Sequence, residues 1–93
     1  MRASSDAEHD DPLVVVTRVV LDGAPVLTVY HEEGGDWQYL AALPTTGENA
    51  RLVHRSHVHE IDPSLRELDR MSPGTWAARN GPGGAWTFGR EGD

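Results

Sequence analysis

The run from Leu13 to Leu21 constrains the fold more than any other part of the sequence. It is dense in valine and is interrupted only by Thr17 and Arg18. β-branched side chains favour extended backbone, and apolar residues at consecutive positions put apolar groups on both faces of a strand. The run therefore predicts a central β-strand around which a small domain must be arranged.

Turns containing glycine or proline divide the following residues into further strands. Residues 22–25 are predicted to be a turn, and residues 26–31 a second strand that forms a hairpin with the first. A turn at 32–36 then leads into a third strand over 37–43. Strands joined in this way predict an antiparallel meander.

The clearest local signal in the chain is a helix start at Asp62. An aspartate can cap the first free N–H groups of a helix, and Pro63 suits its first position. Leu65, Leu68 and Met71 recur every three residues and form one apolar stripe. A helix of about two and a half turns does not persist alone, so we expect it to pack on the sheet.

The remaining segments complete the sheet. Residues 51–60 predict an edge strand or an ordered loop, and this edge leaves open a dimer formed by strand pairing. Residues 76–79 and 85–88 predict a closing hairpin around the glycine-rich loop 80–84. The predicted fold class is α+β, with an antiparallel meander sheet of about five to six strands and one short helix packed on one face.

The 93 residues are enough for one domain. We expect it to span residues 12–89. The polar, acidic residues 1–11 predict a disordered tail, and residues 90–93 a second short tail.

Charge and composition exclude several classes of function. The net charge is −7, with 15 carboxylates against 8 basic residues. Such a surface repels phosphate backbones, which disfavours nucleic-acid binding, and attracts basic proteins. The chain has no cysteine for disulfides or thiolate chemistry. Neither a signal-peptide pattern nor a membrane-span pattern is present, so we expect a cytoplasmic protein with no membrane partner.

The histidine-rich segment 54–59 is a candidate metal or small-ligand site. If it is a strand, His57 and His59 lie on one face about 7 Å apart, a spacing at which two imidazoles can bind one ion. Arg79 or Trp86 would line such a pocket. The alternative is that these histidines are exposed polar residues on an edge strand, where Arg55 would repel a cation.

The carboxylates Glu32, Glu33 and Asp36 lie on one predicted turn. They form either a docking surface for a basic partner or ordinary solvated turn charges. Arg79 and Trp86 are further candidates for partner binding, since arginine and tryptophan dominate interface energetics, although the tryptophans are equally suited to the core.

Catalytic and cofactor motifs are missing from the sequence. There is no cysteine nucleophile and no Gly-x-Ser-x-Gly motif. The segment 81–84 lacks the Lys-Ser/Thr pair of a phosphate-binding loop. We therefore expect neither an enzyme nor a cofactor.

Two patterns carry a family resemblance. The first pattern comprises Val16, Val19–Leu21, Gly23, Pro25, Val26, Tyr30, Glu32, Glu33, Asp36, Trp37, Tyr39 and Leu40. The second comprises residues 60–65 with Leu68, Gly74, Ala78-Arg79 and Trp86. In these positions, over about residues 12–88, the chain resembles a family of small bacterial domains of unknown function, part of which is classed as immunity proteins of polymorphic toxin systems.

The resemblance implies an α+β fold with a curved antiparallel sheet and no known enzymatic activity. Together with the acidic charge, it favours a non-catalytic protein-interaction module, immunity-like in type, with a basic protein as partner. The alternative is a small-ligand or metal-binding module that uses the segment 54–59.

Overall fold

A computed structural model describes residues 12–42 and 46–91. The predicted tail at 1–11, the last residue of the predicted third strand and residues 92–93 lie outside these ranges. The elements are β1 (Leu13–Thr17), α1 (Arg18–Leu21), β2 (Thr28–His31), β3 (Trp37–Leu40), β4 (Ala50–His54), α2 (Arg55–Ile61), a 3-10 helix (Pro63–Leu68), β5 (Thr75–Ala78) and β6 (Thr87–Arg90).

The six strands form one sheet in the order β4-β1-β3-β2-β5-β6. The α+β class is confirmed, but the prediction of a purely antiparallel meander is wrong because β1 runs parallel to β3. The predicted β1–β2 hairpin is also wrong. The single helical turn α1 follows β1 directly and buries Val20, so the chain leaves the sheet and β2 joins it on the far side of β3.

The core lies between one face of this sheet and the helical segments. The sheet contributes valines from β1 and β2 together with Trp37, Tyr39 and Ala77. The other side is formed by Val20, Val26, Val58, Leu65 and Leu68. Leu65 and Leu68, from the predicted apolar stripe of the helix, are buried in the same core as Trp37. The prediction that this helix packs on the sheet is therefore confirmed.

The histidine-rich segment is half strand and half helix. Its first part is the edge strand β4, as predicted, but residues 55–61 are the helix α2 rather than more strand. The reason lies in the neighbouring strand: the Arg55 N–H donates to the Pro12 carbonyl at 2.9 Å, and a proline has no N–H with which to continue the ladder. The helical turn also brings Val58 into the core.

The helix start at Asp62 is confirmed, but the helix is of the 3-10 type. The Asp62 carboxylate accepts from the Ser64 N–H at 3.1 Å and so caps it. The apolar stripe that begins at Leu65 and Leu68 has a period of three, which matches a 3-10 helix with three residues per turn better than an α-helix.

The predicted closing hairpin is present, with β5 and β6 paired antiparallel from Thr75–Arg90 to Ala78–Thr87. The C-terminal tail is predicted to begin at residue 90, but Arg90 is the last residue of β6 in the structure.

Candidate functional site

The strand registers align one row of residues across the whole sheet, on the side away from the helices. Directly paired residues point to the same face, so the row can be followed strand by strand. From β4 to β6 it consists of Leu52, Val15, Gln38, Tyr30, Trp76 and Gly89.

This side of the sheet, which we term the open face, exposes apolar groups. We define it by Leu13, Val15, Gln38, Tyr30, Leu40, Leu52 and Trp76. Leu13 is 54% exposed and Leu52 is 65% exposed, while the other members are partly buried. A contiguous apolar patch on a sheet face is characteristic of an interaction surface.

The Trp76 indole lies across Gly89 on the open face. A Cβ atom added at Gly89 would lie 2.3 Å from Cζ2 of that ring. The missing side chain on β6 is therefore what lets the indole rest against the backbone of the neighbouring strand.

The next row along the strands is acidic. The Glu32 N–H donates to the Asp36 carbonyl at 2.7 Å, and the Glu91 N–H donates to the Gly74 carbonyl at 2.8 Å. With the β2–β5 register, these bonds place Asp36, Glu32 and Glu91 at one end of the open face. We call these three residues and Glu33 the acidic lip.

The acidic lip crowds like charges together. The pKa of the Glu32 carboxyl is raised, first by a hydrogen bond with the Glu91 carboxyl and then by partial burial. Repulsion from Glu91, Asp36 and Glu33 raises it further. A cation brought to this position would relieve the repulsion.

The acidic lip and the open face share one groove of about 740 Å³. Its walls include all four carboxylate residues of the lip and four residues of the open face, Leu13, Val15, Gln38 and Leu52. A groove of this kind suits a basic side chain that is flanked by apolar groups.

The structure brings the predicted residues Glu32, Glu33 and Asp36 together beside this groove. Sequence reasoning missed Glu91, which joins them only through the β5–β6 pairing. It also missed Leu13 and Leu52. The signal for Leu13 was the apolar character of both faces of β1, which predicts a buried strand rather than an exposed surface. No pattern in the sequence distinguishes Leu52.

Arg79 and Trp86 lie elsewhere, in an internal network. The Arg79 side chain is 2% exposed and pairs with the Asp62 carboxylate at 2.8 Å. Its Nε donates to the Val26 carbonyl at 2.9 Å, and its guanidinium stacks on the Trp86 ring at 4.3 Å. These contacts tie the 3-10 helix to β5, so the structure places both residues away from the open face.

Asp62 is held ionised in this network. Burial alone would raise the pKa of its carboxyl, but hydrogen bonds from Ser64 and Arg79 and the charge of Arg79 outweigh burial and leave the pKa below its ordinary value.

His57 and His59 do not share a face, and that prediction is wrong. Both lie on α2, where residues two apart point about 200° apart around the helix axis. His57 is exposed near Glu60, whereas the His59 ring packs edge-on against Tyr39 at 6.3 Å. Within residues 12–42 and 46–91, no three histidine or carboxylate side chains are grouped to hold a metal ion.

A second internal stack lies under α2. The Trp37 ring is covered by His31 at 3.9 Å and by the Arg55 guanidinium at 4.2 Å. Arg55 also donates to the Tyr39 hydroxyl at 3.0 Å and pairs with Asp69 at 2.8 Å. Burial raises the pKa of the Tyr39 hydroxyl despite the lowering effect of Arg55. This stack is part of the packing between α2 and the sheet.

The fold and site define a six-stranded α+β domain in which the helices of the described residues cover only one face of the sheet. Comparison with known proteins finds no matching protein-family model, no matching curated protein and no matching solved structure. Among the described residues, no helix has the length and apolar character needed to cross a membrane.

Proposed function

We propose that this protein is a non-catalytic protein-interaction module that binds a basic partner with its open face and acidic lip. The observation that carries the proposal is the shared groove, in which exposed leucines lie beside four crowded carboxylate residues. The apolar part supplies binding energy through burial, and the carboxylates select lysine or arginine side chains.

The charge of the whole chain supports the same partner. At a net charge of −7, the molecule attracts basic surfaces during approach. The raised pKa of Glu32 adds a local reason, because a docked cation favours the ionised form of its carboxyl and relieves the repulsion from the neighbouring carboxylates.

An immunity-like role is one form of this proposal, and it is supported by the family resemblance of the sequence. An immunity protein needs only to cover a site on its target, so it requires a complementary surface rather than catalytic groups. We also propose a cytoplasmic location, since the cysteine-free chain gains nothing from an oxidising compartment.

The test uses a synthetic, fluorescently labelled peptide that alternates leucine and lysine, with a leucine–glutamate peptide as the matched probe. We expect the lysine peptide to bind with an affinity that falls as salt rises. The double variant L13S/L52S and the double variant E32Q/E91Q should each weaken it about tenfold. Glu67→Gln, on the 3-10 helix, is the control and should leave the affinity unchanged.

The pH dependence of binding gives a second measurement. Because the pKa of Glu32 is raised, ionisation of its carboxyl should strengthen binding of the lysine peptide as pH rises above about 4, and Glu32→Gln should flatten this dependence. Equal affinity for the two peptides, or an unchanged affinity in both double variants, would show that the groove is not the binding site.

A further inference from the structure

The outer edge of β6 presents backbone hydrogen-bonding groups to solvent. The Glu91 N–H bonds to the Gly74 carbonyl, so the pairs formed by Thr87 and Gly89 are the hydrogen-bonded pairs of this ladder. The N–H and C=O groups of Phe88 and Arg90 therefore point away from β5. They are placed to pair with a further strand.

The opposite edge of the sheet is protected in a way that β6 is not. The Arg51 guanidinium donates to the carbonyl of Ala50, the first residue of β4, and to that of Glu48 in the turn before it, each at 2.9 Å. A carbonyl already bound by a side chain is a poor acceptor for an incoming strand. Strand addition is therefore favoured at β6.

Beside this edge lies a groove of about 450 Å³ on the helix side of the sheet. It is formed where the 3-10 helix ends and no longer covers β6, which leaves Phe88 59% exposed. Met71, Thr75 and Phe88 line it, with Arg70 and Arg90 among the charged residues around them. The groove can accept an apolar side chain next to a carboxylate.

The two arginines are available to a partner. Within the part of the chain that the structure describes, Arg18, Arg55 and Arg79 are each paired with an aspartate, whereas neither Arg70 nor Arg90 makes an ion pair. A guanidinium beside an apolar groove favours a carboxylate through charge-assisted hydrogen bonds. The single carboxylate that lines this groove is Glu67.

We propose that an extended acidic segment of a partner protein adds to β6 as a seventh, antiparallel strand. Its sequence pattern is acid-x-apolar, read from its N-terminus. The acidic residue lies opposite Arg90, the middle residue opposite Gly89, and the apolar residue opposite Phe88 in the groove. Backbone pairing supplies affinity and the alternate side chains supply specificity.

This site is separate from the proposed basic-partner site. The acidic lip belongs to the open face, whereas Phe88 and Arg90 are on the helix side with their partners Ala77 and Thr75. Failure of one proposal therefore leaves the other standing.

The test uses a short peptide with blocked ends and a central Glu-Thr-Val, and binding is measured by titration calorimetry. N-methylation of the valine removes an N–H that faces Phe88 and should weaken binding about tenfold. N-methylation of the threonine, whose N–H points away from β6, is the matched control and should be tolerated. Arg90→Glu should weaken the glutamate peptide and strengthen a Lys-Thr-Val peptide, while Arg66→Glu on the exposed side of the 3-10 helix should change neither.

Two results would overturn the proposal. One is the absence of binding by the Glu-Thr-Val peptide, or equal binding by both N-methylated forms. The other is light scattering that shows a dimer abolished by Phe88→Asp, because a second copy would then be the strand that occupies β6.

Discussion

Arg79 shows how one residue can tie together distant parts of this chain. Its buried guanidinium contacts the Val26 carbonyl, the Asp62 carboxylate and the Trp86 ring. A buried cation is tolerated only when it is paired and hydrogen-bonded, and these contacts meet that condition. The network therefore stabilises the fold.

Asp62→Asn should destabilise the protein by about 3 kcal/mol at pH 7, because it leaves the buried Arg79 charge without its partner. The pKa of Asp62 is lowered by folding, so its ionisation stabilises the folded state above about pH 4. This contribution is lost as pH falls through the folded-state pKa, and the difference between variant and wild type should shrink there. Urea unfolding at several pH values measures it.

The control for this prediction is Asp22→Asn. Asp22 pairs with Arg18 at 3.7 Å, but both side chains are more than half exposed. Exposed pairs contribute little, so stability should change by less than about 0.5 kcal/mol. Equal losses in the two variants would contradict the role given to Arg79.

Single elements of the fold depend on local sequence detail. Pro12 ends the β1–β4 ladder, and the chain turns into α2 immediately after His54. On the other side of the sheet, Gly89 gives Trp76 its place against β6. In both cases a backbone property of one residue, a missing N–H or a missing Cβ, determines the neighbouring element.

Gly89→Ala should destabilise the protein by about 1–3 kcal/mol, because the new methyl group collides with the Trp76 ring and the indole must move. Thermal unfolding measures the loss, and Trp76 fluorescence should change with it. At Gly47, an added Cβ meets no atom within 4 Å, so Gly47→Ala is the control. A Gly89→Ala protein as stable as this control would contradict the proposed packing.

The molecule as a whole has a one-sided core. Helical segments cover one face of the sheet, and the open face keeps its apolar row in contact with solvent. Leucines on the two faces therefore have different roles. Leu65 and Leu68, on the 3-10 helix, are buried against the sheet and stabilise the fold, whereas Leu13 and Leu52 on the open face are exposed.

Leu68→Ala should cost about 2–5 kcal/mol, because Leu68 is 1% exposed and its loss leaves a cavity. Leu52→Ala should cost less than about 0.5 kcal/mol, since Leu52 already contacts water. Denaturant unfolding compares the two. A loss at Leu52 as large as that at Leu68 would show that the open face is part of the core.

Much of the local structure could be predicted from the sequence because its causes are local. The cap at Asp62, the closing hairpin and the turn that groups Glu32, Glu33 and Asp36 each depend on neighbouring residues. The type of the helix is also encoded, in the period of three between Leu65 and Leu68.

The acidic charge, the strand-forming segments and the helix start follow from the order of residues alone, since propensity and capping act over a few residues. The parallel pairing of β1 with β3, the position of Glu91 in the acidic lip and the opposite directions of His57 and His59 are visible only in the folded chain. These outcomes depend on which distant strands meet and in which register. Pairing of that kind is set by packing of the complete chain, which no short segment encodes.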